Sequence, residues 1–103
     1  MLIQTFDLRK MKVFPYEERQ KNIFYQSEEF KTIMVELPAG GEIPRCEMEP
    51  SVVFVVLAGS AEITVNQQKA ILQEGQCLIT EPATLSMKTS KGVKIMGIQI
   101  FKK

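Results

Sequence analysis

The sequence predicts an all-β domain, either a sandwich or a barrel, and three observations lead to this fold class. Short stretches rich in β-branched and aromatic residues recur along the chain, and Gly, Pro, Asn and Ser separate them. No stretch shows the period of 3.6 residues that marks an amphipathic helix. With 103 residues, of which 45% are hydrophobic, the chain has the size of one ordinary domain with one core.

Eight stretches are predicted strands, and several of them alternate cleanly between apolar and polar residues. In the stretch 62–65, for example, apolar Ile63 and Val65 alternate with polar Glu62 and Thr64. Such a strand has one face in the core and one toward water. The predicted strands are residues 22–26, 30–37, 51–57, 61–65, 70–72, 77–80, 85–89 and 93–101.

The stretch 52–57 differs because it is apolar on both faces. In an all-β domain such a strand lies between two packed layers, or a second subunit covers its outer face. We therefore expect a homodimer. Asn66 and Gln67 separate two predicted strands and are typical of a tight hairpin, whereas Ser90, Lys91 and Gly92 separate the last two strands.

The first twenty residues are less regular than the rest and form either an N-terminal extension or an edge strand. Residues 1–8 could add a strand at the edge of a sheet. Residues 15–20 could form one helical turn with Pro15 at its first position, where the missing N–H costs nothing.

Composition excludes several classes of function. The chain contains no histidine, so catalytic triads built on imidazole and metal sites that contain histidine are excluded. The 13 basic and 12 acidic residues are interspersed, which leaves no basic patch for nucleic acid. The longest apolar run, residues 52–58, is far shorter than the roughly 20 residues that span a bilayer.

Two further features bear on location and redox state. The first ten residues lack the basic start and apolar stretch of a secretory signal, so we expect a soluble, cytoplasmic protein. Cys46 and Cys77 are isolated thiols without CxxC spacing, which predicts reduced, packed cysteines rather than a disulfide framework.

From Gly40 onward the chain resembles a small single-domain cupin. Cupins carry a first motif of the form G-x5-H-x-H-x3-E-x6-G, and Gly40 and Gly59 stand here at its two glycine positions. Its three ligand positions are occupied by Cys46, Met48 and Val52. The glycines therefore fit the motif and the ligands do not.

The second cupin motif has the form G-x5-P-x-G-x2-H, and Gly75 begins it here. Counting from Gly75 places Ser86 at the last ligand position, whereas counting from Pro82 places Met87 there. We prefer Met87, because its parity with Leu85 puts it on the apolar face. The resemblance covers residues 30–101 and implies a jelly roll, or double-stranded β-helix, barrel.

The resemblance also suggests where a ligand would bind, because these positions surround the barrel mouth in metal-binding cupins. Cys46, Met48, Val52 and Met87 leave no hard ligand at these positions, so we expect neither a metal nor another cofactor. Three interpretations remain. These side chains fill the barrel, line a pocket for a small apolar ligand, or hold a soft ion such as Cu(I).

Glu42, Glu47 and Glu49 form an acidic group around the same segment. In the family register Glu47 and Glu49 point away from Cys46 and Met48, toward water. If the register were slipped by one residue, these carboxylates would face inward. They could then act with Tyr16 or Tyr25 as proton carriers in a metal-independent isomerase or lyase.

The sequence thus favours a non-catalytic cupin-like barrel that binds a small, largely apolar ligand in a pocket of Cys46, Met48, Val52 and Met87. A metal-independent isomerase or lyase and a Cu(I) site are the alternatives. Because one fold supports many functions, the resemblance names neither a reaction nor a ligand.

Overall fold

A computed structural model describes residues 2–102, and these residues form eight antiparallel β-strands preceded by a 3₁₀ segment, Tyr16–Asn22. The all-β prediction is confirmed, and each of the eight predicted stretches overlaps a strand, although Asn22, Thr89 and Phe101 lie outside the strands. In chain order the strands are β1 (Ile23–Gln26), β2 (Phe30–Leu37), β3 (Glu42–Met48), β4 (Ser51–Val65), β5 (Gln68–Gln73), β6 (Cys77–Thr80), β7 (Ala83–Lys88) and β8 (Val93–Ile100).

The strands form two layers that share β4. The first half of β4 pairs with β8 and β6, and the sheet continues through β8 to β2 and β1. The second half of β4 pairs with β5 and β7, and β7 pairs with β3. We call these layers sheet A (β1-β2-β8-β4-β6) and sheet B (β3-β7-β4-β5). Their arrangement is the predicted jelly roll.

The strand β4 passes from one sheet to the other at Gly59. The register against β8 shifts between Val56 and Ala58, and Gly59 follows with φ +77°. A Cβ at Gly59 would lie 2.1 Å from the carbonyl oxygen of Gly92. Only glycine permits both this left-handed backbone and this close approach. The predicted strands 51–57 and 61–65 are therefore two halves of one bent strand.

Thr89 secures the end of the barrel next to this bend. Its hydroxyl donates a hydrogen bond of 2.7 Å to the carbonyl of Ser60 and accepts one of 2.9 Å from the N–H of Gly92. Thr89 is buried, and its backbone N–H and C=O bond to Gly41 and Gly40. One buried residue thus forms hydrogen bonds with three chain segments, at Gly40–Gly41, Ser60 and Gly92.

The core lies between the two sheets and follows the alternation read from the sequence. Ile63 and Ile95, from opposite layers, are completely buried. The remaining buried members of this cluster are Val35, Leu37, Val56, Ala61, Leu72, Met87 and Val93. Burial of each such aliphatic side chain contributes on the order of 1.5–3 kcal/mol.

The predicted hairpin between β4 and β5 is confirmed. Val65 pairs with Gln68, so that Asn66 and Gln67 form a two-residue loop. Both have positive φ, 47° and 79°, as a type I′ turn requires. The Asn66 side chain accepts a hydrogen bond of 2.9 Å from the N–H of Thr84, which ties this turn to β7.

Strand β3 was not predicted as a strand by local composition. Its residues include Pro44 and Arg45, and Pro is confined to edges and bulges of sheets. Both conditions are met, because β3 is an edge of sheet B and its register against β7 shifts between Ile43 and Cys46. Pairing with β7 therefore overrides the weak local preference.

The N-terminal segment packs as an extension. Residues 2–8 contain no strand, so the alternative of an added edge strand is wrong for the part of the chain that is described. The 3₁₀ segment includes the predicted helical turn, although Pro15 immediately precedes it. Asn22 anchors the extension, since its buried amide group accepts a hydrogen bond from the N–H of Phe14 and donates one to the Phe14 carbonyl.

The outer face of sheet A carries apolar side chains beyond the extension. Val53 and Val55 of β4 point outward beside Ile98 of β8 and Ile79 of β6, and Ile79 is 74% exposed. Strand β4 is therefore apolar on both faces, as the sequence indicates. No helix within residues 2–102 is long and apolar enough to cross a membrane.

The bend at Gly59 predicts a difference between two glycine substitutions. Gly59 and Gly75 both have positive φ, but a Cβ at Gly75 meets nothing within 4 Å. Gly75→Ala should cost about 1–2 kcal/mol through backbone strain alone. Gly59→Ala adds a clash with backbone and should cost at least about 3 kcal/mol in unfolding free energy, measured by urea titration. Equal losses in the two variants would contradict this account of the bend.

Candidate functional site

A cavity of about 450 Å³ opens between the two sheets on the side of the 3₁₀ segment. This volume lies in the range of pockets for small molecules. Its floor and walls are largely apolar. The residues that line it are Tyr16, Arg19, Gln20, Ile23, Gln26, Lys31, Ile33, Val35, Ile43, Cys46, Met48, Phe54, Ile63, Leu85, Ser86, Met87 and Gln99.

Sheet A contributes side chains in successive rows across its strands. Directly paired residues point to the same face, and one row contains Gln26, Lys31 and Gln99. The next row toward the core is apolar: it contains Ile23, Ile33 and Phe54, with Gly97 between the last two. The sheet therefore places polar side chains at one level of the cavity and apolar side chains at the next.

Gly97 makes room in the apolar row. A Cβ at this position would lie 3.3 Å from the Ile33 side chain and 3.4 Å from the Phe54 ring. These contacts are tighter than ordinary van der Waals distances, so a larger residue would push Ile33 or Phe54 aside. Gly97 thus lets two large side chains from neighbouring strands converge on the cavity.

Sheet B supplies sulfur to the opposite wall. Cys46 pairs with Leu85 and Ile43 pairs with Met87, which puts all four residues on the inner face. The Cys46 thiol donates a weak hydrogen bond of 3.8 Å to the Met48 sulfur. The structure therefore brings Cys46, Met48 and Met87 to one cavity, with Met87 buried at its base and Cys46 exposed at its edge.

The 3₁₀ segment borders the opening. The Glu18 N–H bonds to the Pro15 carbonyl at 2.8 Å, which starts the turn, and the Asn22 bonds to Phe14 hold its far end. Tyr16 packs against the core. Arg19 stacks over the Tyr16 ring, with its guanidinium carbon 4.6 Å from the ring centre, and donates a hydrogen bond of 3.2 Å to the Tyr16 carbonyl.

The inner position at the end of the second glycine motif belongs to Met87. Met87 pairs with Ile43 and Ile63 and is 5% exposed. Ser86 has the opposite parity, since it pairs with Thr64, although it also lines part of the cavity. The prediction that Val52 lines the pocket is wrong, because Val52 is 1% exposed and does not line the cavity. Phe54, two residues further along the same face, takes that place.

The acidic side chains lie outside the cavity. Glu47 pairs with Thr84, opposite in parity to Cys46 and Met48, and Glu42, Glu47 and Glu49 are exposed. None of them lines the cavity. Tyr25 stacks with Phe30, 5.4 Å between ring centres, and does not line it either. The isomerase or lyase alternative requires carboxylates that face inward. The observed register turns them outward and contradicts that alternative.

Both cysteines are free and exposed, so the expectation of packed thiols is wrong. Cys77 pairs with Val55 on the outer face of sheet A, and β6 pairs with β4 alone. A residue on the outer face of an edge strand lacks the neighbours that would bury it. Cys46 is exposed because it also lies on an edge strand, β3, where it lines the cavity.

The donor atoms at the cavity do not fit the metal site of a metal-binding cupin. Such a site needs imidazole and carboxylate ligands. The sequence has no histidine, and the cavity wall offers one thiol and two thioethers. Within residues 2–102, no group of three or more Cys, Asp or Glu side chains is arranged to hold a metal ion.

Comparison with solved structures identifies this architecture. TT1209 from Thermus thermophilus aligns with a TM-score of 0.81 at 19% identity, over 95% of this chain and 97% of its own. A cupin superfamily protein from Desulfitobacterium hafniense aligns with a TM-score of 0.72 at 18% identity, over 78% of this chain and 74% of its own. The chain has the cupin fold.

A second structure described as a cupin agrees. The cupin domain of Cnp3 from Schizosaccharomyces pombe aligns with a TM-score of 0.70 at 24% identity, over 78% of this chain, which spans 61% of that one. At these identities the likeness concerns the cupin fold alone. The chain matches no protein-family model and no curated protein.

Sequence reasoning missed the polar residues of the cavity. Lys31 and Gln99 lie on strands that were predicted, and Lys31 shares the parity of Ile33 and Val35, which would have placed it on the inner face. Arg19 had no comparable indication, because only the packing of the 3₁₀ segment against β2 brings it to the cavity.

Proposed function

We propose that this chain is a cytoplasmic, non-catalytic cupin-fold barrel that binds a small, largely apolar ligand between its sheets without a metal ion. One observation carries the proposal: a cavity of about 450 Å³ with a floor of Ile, Val, Phe and Met side chains. When an apolar ligand displaces water from such a surface, the buried apolar area favours binding by on the order of 25 cal/mol per Å². Methionine side chains at the wall adapt to ligands of differing shape.

Blocking the cavity tests this proposal. Met48 is half-buried at the wall, and Met48→Trp should fill part of the space without disturbing the core. We expect octanol to bind the native protein saturably in calorimetry and to raise its Tm, because a ligand that binds only the folded state stabilises it. Met48→Trp should weaken binding at least about tenfold.

Ile71→Trp is the matched control, because Ile71 is 69% exposed on β5 and does not line the cavity. This variant should bind octanol as the native protein does. Equal affinity of octanol for the native protein and Met48→Trp would place binding elsewhere and contradict the proposal.

A soft-metal site is the second candidate, and the pair of sulfurs favours it. A metal–sulfur bond is about 2.3 Å long, so two sulfurs on one ion lie at most about 4.6 Å apart. The Cys46 and Met48 sulfurs are 3.8 Å apart. Cu(I) prefers thiolate and thioether ligands of this kind.

Anaerobic Cu(I) titration against a chromogenic chelator separates this candidate from the first. If the pair binds Cu(I), uptake should saturate at one equivalent and disappear in Cys46→Ser. Cys77→Ser is the control, because Cys77 is equally a free, exposed thiol but lies on the outer face of sheet A. Identical uptake by both variants would rule out a site at Cys46.

We also propose that two copies of the chain pair through the outer face of sheet A around Val53, Val55, Ile79 and Ile98. Covering this apolar surface would remove it from water. Light scattering at micromolar concentration should then give twice the chain mass of 11.7 kDa. In the Ile79→Lys variant the measured mass should fall to that of a single chain. Ile71→Lys, on the outer face of sheet B, should leave the mass unchanged. A native monomer at this concentration would refute the pairing.

A further inference from the structure

The charged side chains that line the cavity all have the same sign. Arg19 and Lys31 line it, and no Asp or Glu among residues 2–102 does so. The chain as a whole is nearly neutral, with 13 basic and 12 acidic residues. A lining that contains two cations and no carboxylate therefore differs from the mixed surface of the rest of the molecule, and it favours a ligand that carries negative charge.

Sheet A places Lys31 in the polar row of the cavity, next to the apolar row that contains Ile33. It pairs with Gln26 on one side and Gln99 on the other, and all three line the cavity. Lys31 is half-buried. Two ion pairs lie within residues 2–102, Lys21–Glu18 and Lys88–Glu62, and Lys31 takes part in neither. The flanking amides supply further hydrogen-bond donors, since each glutamine carries an NH₂ group.

Arg19 adds a second cation from the 3₁₀ segment. Its guanidinium lies over the Tyr16 ring and uses one N–H for the Tyr16 carbonyl. Arginine carries five N–H donors in a planar fork, so this arrangement holds the group in place and leaves donors for a carboxylate. Tyr16 itself packs against the core, which fixes the platform on which Arg19 lies.

The geometry points to an amphipathic anion as the ligand: a small molecule with an apolar body and one carboxylate. The body lies against Ile33, Phe54 and Met87, and the carboxylate lies between Lys31 and Arg19. This inference rests on the proposed function, because it names the class of ligand that the same cavity takes. It adds that charge, and not only apolar area, selects the ligand.

Three probes with the same eight-carbon chain isolate the contribution of charge. Octanoate, octanol and octylammonium are titrated into the native chain by calorimetry. Octanoate should bind about tenfold more tightly than octanol, which is the order expected of a charge-assisted hydrogen bond, and octylammonium should bind more weakly than octanol. Added salt should narrow the difference between octanoate and octanol, because Arg19 is exposed and its field is screened.

Substitution of the two cations assigns the preference to this site. Lys31→Gln and Arg19→Gln should each reduce octanoate affinity several-fold, and the double variant should bind octanoate and octanol equally. Octanol should still bind saturably to Lys31→Gln and to Arg19→Gln, which a loss of folding would not allow. Lys69→Gln is the control, because Lys69 is an exposed lysine of β5 that does not line the cavity.

The outcomes distinguish the two levels of the proposal. Equal binding of octanoate and octanol to the native chain overturns the preference for an anion and leaves the apolar pocket standing. A preference for octanoate that survives in the double variant overturns the assignment to Lys31 and Arg19. Failure of all three probes to bind overturns the proposed function together with this inference.

Discussion

The contact between Gly59 and Gly92 is the constraint on which the rest of the barrel depends. It lets β4 bend sharply enough for one strand to belong to both sheets, because neither backbone carries a side chain at the point of closest approach. The two layers therefore diverge from a common strand, and the space between them becomes the core at one end and the cavity at the other. Thr89 adds the hydrogen bonds that hold this junction against the loops around Gly40 and Gly92.

Given that junction, the chemistry of the cavity follows from strand register. In β2, β8 and the first half of β4, residues of one parity point inward, and moving two residues along a strand moves one row through the cavity. The row of Gln26, Lys31 and Gln99 is thereby stacked on the row of Ile33 and Phe54. A slip of one residue would exchange this face for the outer one. The polar and apolar levels of the site are thus properties of the pairing, and no loop is needed to create them.

Much of the fold and part of the site could be predicted from the sequence, at the positions where local pattern and tertiary context agree. The alternation of Ile63 with Glu62, the turn at Asn66, and the spacing of Gly40, Gly59 and Gly75 all led to the right fold. The failures have physical causes. Cys77 was expected to be packed, but its strand is an edge and its parity is outward. Val52 has the inward parity but is 1% exposed and does not line the cavity, a difference that parity does not reveal. Arg19 reaches the site through packing of a segment that has no periodic pattern.

The position of the cavity also suggests how the proposed ligand would enter a barrel whose interior is close-packed. Its opening is bordered by β1 and β3, the two ends of the strand order, each paired on one side only, and by the short 3₁₀ segment. Elements with few partners open locally at lower free energy than central strands do. The base, in contrast, is formed by Ile63 and Met87, whose strands are paired on both sides. Adaptation to a ligand would therefore be concentrated at the rim, where Met48 and Cys46 lie, while the buried base keeps its shape. A rigid apolar base beneath an adjustable rim permits entry without disrupting the junction at Gly59, which lies on the central strand shared by both sheets.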